Sequence, residues 1–113
     1  MKYNLNNKRF RGVSNNSNGE VSSSTLFAYH QEGDVLWGSY EGGAIVKGSL
    51  VGRVTDDNHI EFNYTHINLD KTLLSGFCQS TIESLESGKL RLHEQWAWTS
   101  GKEGQGESVV EEV

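Results

Sequence analysis

Glu94 stands in the run Lys89 to Thr99, where Leu90, Leu92, Trp96 and Trp98 alternate with Lys89, Arg91, His93, Gln95, Ala97 and Thr99. Strict alternation sends one set to each face of a strand, so Glu94 goes inward with the leucines and tryptophans. A carboxylate out of water needs a compensating partner. His66 shares its face with Ile60, Phe62 and Tyr64 in the run Ile60 to Asn68, and is the natural candidate. In the functional reading Glu94 accepts a ligand N–H or O–H, helped by His66 and Tyr64. In the plainer reading Glu94 and His66 form a satisfied structural pair, or Glu94 bonds Tyr29 or backbone. Trp96 and Trp98, with Phe62 and Tyr64, make an aromatic wall, which stacks flat ligands but equally fills cores.

Other chemistry is weakly signalled. The four histidines (His30, His59, His66 and His93) show no short paired spacing and Cys78 is alone, so no metal site and no cofactor are expected. Cys78 with His66 as base is a conceivable nucleophile, but lone cysteines are mostly inert, buried small hydrophobes. No catalytic residue is therefore assigned. The run Gly101-Lys102-Glu103-Gly104-Gln105-Gly106 lacks the Gly-Lys-Ser/Thr ending and the following helix of a phosphate loop, and reads as a hairpin loop.

These side chains must be held by strands. Thirteen glycines and no proline punctuate the chain while leaving every backbone N–H free for a ladder. Strand-like runs are expected at 9–13, 21–31, 35–41, 44–55, 60–68, 72–84, 89–99 and 108–113. A polar loop is expected at 14–20 and a two-residue hairpin at Gly42-Gly43. Regular spacing of about eight strands reads as an antiparallel up-and-down barrel, closed by pairing the last run with the first. One all-β domain over residues 1–113 is expected.

Alternation directs Thr25, Phe27 and Tyr29 inward, with Leu36, Gly38 and Tyr40 on the third run. On the fourth it selects Ala44, Val46, Gly48, Leu50, Gly52 and Val54; on the sixth alternation leaves both faces open, and Leu74, Gly76, Cys78, Ser80 and Ile82 are chosen because the opposite face carries Gln79 and Glu83. Antiparallel order then gathers Leu36, Val54, Ile60, Ile82 and Leu90 as an apolar plug at one end. Tyr40, His66, Leu74, Trp96 and Trp98 collect at the other, with Glu94 a little deeper. The small residues Gly76, Cys78 and Ser80 leave space for His66 and Glu94 to approach. A concave apolar cavity with a few convergent polar groups is the usual form of a small-molecule site. The candidate ligand-binding residues are Phe27, Tyr40, Tyr64, His66, Cys78, Glu94, Trp96 and Trp98.

Ten basic and fifteen acidic residues give a net charge of −5, which argues against nucleic acid or an anionic membrane as partner. No apolar stretch has signal-peptide or transmembrane length, so a cytoplasmic home is expected. Trp37 points outward if Leu36 and Tyr40 point in. Beside Val51 and Phe77 it would form a patch, and a homodimer is expected.

The motifs Tyr40-Glu41-Gly42-Gly43, Val46-Lys47-Gly48, Arg91-Leu92-His93-Glu94-Gln95-Trp96, Trp98-Thr99-Ser100-Gly101 and Gly106-Glu107-Ser108-Val109-Val110-Glu111-Glu112 resemble small stand-alone bacterial proteins of the avidin-like, calycin type. The resemblance covers nearly the whole chain and implies a β-barrel. It carries over the architecture and not the polar contacts of biotin binding. Some such proteins bear the label N-acetylglutamate synthase, which implies an acetyltransferase using acetyl-CoA and glutamate. This sequence has no strand-turn-helix to cradle a pyrophosphate and no basic cluster for CoA phosphates. The preferred reading is a small-ligand binder, and the alternative is an enzyme using the same lumen.

Overall fold

Eight strands run in chain order around one closed antiparallel barrel. They are β1 Lys8–Asn15, β2 Leu26–Glu32, β3 Val35–Gly42, β4 Ile45–Asp56, β5 His59–Asn68, β6 Leu73–Ser84, β7 Leu90–Ser100 and β8 Gln105–Glu112. The computed structural model describes residues 3–113. Met1 and Lys2 of the expected domain lie outside the described residues. β8 closes the sheet on β1, with Val110 opposite Gly12 and Glu112 opposite Phe10. Closure removes both sheet edges. No helix among the described residues is long and apolar enough to cross a membrane.

Two-residue turns make the tightest corners. At the β3–β4 corner Gly42 and Gly43 have φ of 118° and 65°, a region open to glycine without a steric penalty. The expected second run starts late: Val21 to Thr25 form a turn, with the Thr25 amide donating to the Ser22 carbonyl at 3.0 Å. Thr25 is nevertheless fully buried. The inward assignment of Ala44 and Val46 is wrong. Ile45 is buried and Val46 exposed, because an irregularity between Ile45 and Lys47 shifts the register of β4 on β5. An extra residue in one strand reverses the faces before it, and from Gly48 onward the expected phase holds.

The apolar plug is present. Leu36, Ile60, Ile82 and Leu90 are buried, and Val54 packs half-buried against them. Leu5, ahead of β1, completes it with no exposed surface; its amide donates to Gln31 Oε1 at 2.9 Å. This end of the barrel is shut by side chains and by the N-terminal segment.

Candidate functional site

All eight side chains singled out in the sequence, Phe27, Tyr40, Tyr64, His66, Cys78, Glu94, Trp96 and Trp98, line one cavity in the lumen. Alternation was enough to bring them together, because in a closed barrel every inward residue faces the same space. Phe27 and Tyr40 stack with ring centroids 4.9 Å apart, and Trp96 lies against Trp98 at 5.4 Å.

The expected approach of His66 to Glu94 does not occur. His66 lies in register with Gly48 and Leu74, whereas Glu94 lies in register with Ser80 and Ser108. Ser80 in turn faces Ile60, so two inward residues of β5, Phe62 and Tyr64, separate the rungs of His66 and Glu94. The space at the small residues is also taken. A Cβ on Gly76 would lie 2.2 Å from the Tyr64 hydroxyl, and one on Gly48 would lie 2.5 Å from the Tyr40 ring. The two glycines therefore seat two tyrosine rings.

Glu94 instead accepts a hydrogen bond from Ser108 Oγ at 2.8 Å on Oε1. Its Oε2 is buried with no partner. Burial pushes the carboxyl up to about 7, with the Ser108 bond pulling the other way. A buried acceptor without a donor is uncommon in a native core. Desolvation, with the Glu94 charge adding to it, also raises the Cys78 thiol and the Tyr40 and Tyr64 hydroxyls. Tyr40 further feels Tyr64, and Tyr64 feels Cys78. None of the three is an activated nucleophile.

The other end of the lumen is covered by a feature the sequence did not disclose. The connection between β1 and β2, residues 16–25, has ten residues where the other connections have two to five. It carries Glu20 into the barrel mouth. Glu20 Oε1 accepts from His66 Nε2 at 2.7 Å, and Oε2 accepts from Asn68 Nδ2 and Lys102 Nζ, each at 3.1 Å. With Nε2 as donor, His66 Nδ1 accepts from the Tyr40 hydroxyl at 2.9 Å. Burial opposes the Glu20 charge, but the bonds from His66, Asn68 and Lys102 together hold its carboxyl below the ordinary value.

The indoles complete the closure: Trp98 Nε1 donates to the Asn18 carbonyl and Trp96 Nε1 to Asn15 Oδ1, both at 3.1 Å. Glu20, Val21, Asn15 and Ser108 were not picked out as lining residues. Connection length was the available signal for the first two, since a ten-residue loop at an open barrel end is long enough to fold across it.

With this loop in place the cavity has a volume of about 40 Å³. By that measure a water needs roughly 10–15 Å³, so the lumen under the loop has room for no more than a few waters. Sites for drug-sized molecules run to roughly 300–1,000 Å³. No group of three or more metal-binding side chains occurs among the described residues.

A family model described as avidin-like protein matches residues 3–113. The chain belongs to that family. Comparison with the curated proteins and with the solved structures finds no match.

Proposed function

We propose that this avidin-like barrel is a binding protein for a small, flat molecule bearing an N–H or O–H donor. The ligand lies in the lumen between the aromatic walls, and its donor meets Glu94 Oε2. The carrying observation is that oxygen, buried with no hydrogen-bond partner on a residue that lines the cavity. Leaving a buried acceptor unmade costs about 1–3 kcal/mol, more for a charged group. A ligand donor recovers that loss.

Support for binding rather than catalysis comes from the raised thiol and phenol groups and from His66, both of whose ring nitrogens are engaged. The closed volume requires the loop of residues 16–25 to lift as ligand enters. Its hold on the barrel includes polar bonds from His66, Asn68, Lys102 and Trp98, which water can replace.

Benzimidazole, a flat N–H donor, is a direct probe. Titrated at pH 8 and followed by tryptophan fluorescence, it should bind the wild-type protein at least tenfold tighter than Glu94→Gln, since a bond to a charged acceptor is worth about 1.5–3 kcal/mol. Equal affinity in the two proteins, or no binding to either, overturns the reading. Incubation with acetyl-CoA and glutamate should release no free CoA; release at a catalytic rate would favour the acetyltransferase instead.

A further inference from the structure

We propose that His66, Asn68 and Lys102 form a carboxylate-binding site at the mouth of the barrel, and that Glu20 occupies it as an internal ligand. A monocarboxylate from solution then competes with Glu20 for the same three donors.

The site is built without help from the loop that fills it. Both lone-pair directions of Asn68 Oδ1 are used by the next turn, which donates the Asp70 and Thr72 amides at 3.0 Å each. That arrangement leaves the Asn68 amide nitrogen aimed at Glu20. The His66 ring is oriented on its far side by Tyr40, with Trp98 edge-on at 5.8 Å. His66 and Asn68 are 3% and 7% exposed. Lys102 reaches in from the β7–β8 loop, 5.9 Å over the Trp98 ring.

Three donors from two elements thus converge on one carboxylate position, and none belongs to the segment that supplies the carboxylate. Preorganised donors of this kind bind whichever carboxylate is presented. A tethered group presents itself at an effective concentration on the order of millimolar or above. Free carboxylates must therefore compete against Glu20, and removing it should unmask the site.

Glu20→Ala deletes the methylene and carboxylate of the side chain, and acetate is that missing fragment. Acetate titrated into Glu20→Ala, followed through the His66 ring signals by NMR, should bind saturably and at least tenfold tighter than in the wild-type protein. Acetamide, equal in size and uncharged, should not. The double variant Glu20→Ala/Lys102→Met should return acetate to wild-type weakness. If Glu20→Ala does not fold alone, acetate and not acetamide should restore its folding.

Acetate binding no tighter in Glu20→Ala than in wild type, or equal effects of acetate and acetamide, overturns the proposal. The two readings fail separately. Benzimidazole binding without acetate binding removes the mouth site and leaves the lumen. Acetate binding without benzimidazole binding supports the mouth site and removes the lumen reading.

Discussion

Glu94 is a carboxyl group whose folded and unfolded environments differ sharply, and the difference has a sign that can be measured. Its folded value is about 7, against about 4.3 for an unfolded glutamate. Between those values the folded chain keeps a proton that the unfolded chain has lost. Stability from this group is therefore full at acid pH, falls as pH rises from about 4.5 to 7, and is then flat. The drop is about 4 kcal/mol at 1.36 kcal/mol per pH unit.

Glu94→Gln removes that drop. Thermal melts at pH 5 and pH 8 should show the variant close to wild type at pH 5 and higher at pH 8, by on the order of 10 °C. Parallel curves for the two proteins would mean that Glu94 is ionised without penalty, through a partner not identified among its contacts. Cys78 makes a companion case. Its thiol is buried and shifted up by desolvation and the Glu94 charge, so even with the loop lifted little of it is thiolate and a thiol reagent should label it slowly. Stoichiometric labelling within minutes of mixing would contradict that. The inward placement of Glu94 was legible, because alternation needs only neighbours in sequence. Its partner was not, because pairing depends on the stagger between strands far apart in the chain.

At the scale of elements, the shape of the lumen is set by where strands lack side chains. Gly48 on β4 and Gly76 on β6 leave room for the Tyr40 and Tyr64 rings, and Tyr40 in turn orients His66. Gly48→Ala should displace the Tyr40 ring and lower stability by about 1–3 kcal/mol, the usual range for overpacking. It should also weaken acetate binding in the Glu20→Ala background, because His66 loses its far-side bond. An unchanged melting temperature would show that the ring has room to move.

The sequence disclosed the strands and most inward faces through period-2 patterning and glycine turns. It misplaced Ala44 and Val46, since the irregularity beside Ile45 leaves no residue-type signature. It also read residues 14–20 as a polar loop and nothing more. A loop that folds back is held by single long-range bonds, such as those to Glu20, and these have no period to detect.

At the scale of the whole molecule, one band of the outer wall carries no charge. Across β3 to β8 one row of outward residues runs Trp37, Val51, Asn63, Phe77, Ala97 and Gln105. The next row runs Ser39, Ser49, Thr65 and Ser75. None of these ten is charged, in a chain with a net charge of −5. Trp37 is 40% exposed and Val51 62%.

Charged residues flank the band, among them the Arg53–Glu61 pair on the adjacent rung of β4 and β5, and Arg9, Arg11, Glu32 and Glu111 lie on β1, β2 or β8. A second copy seated on the uncharged band buries Trp37 without opposing like charges there, and we propose a homodimer through it. Sedimentation should show a dimer for the wild-type chain and a monomer for Val51→Lys. A wild-type monomer at high concentration would end that proposal.

The central claim is that the lumen, closed here to about 40 Å³, opens to a flat donor ligand that bonds Glu94. A crystal structure grown with benzimidazole tests it most directly. The ring is expected between the Phe27–Tyr40 and Trp96–Trp98 walls, its N–H on Glu94 Oε2, with residues 16–25 displaced from the mouth. Benzimidazole absent from the lumen, with Glu20 still on His66 and the loop closed, would contradict it.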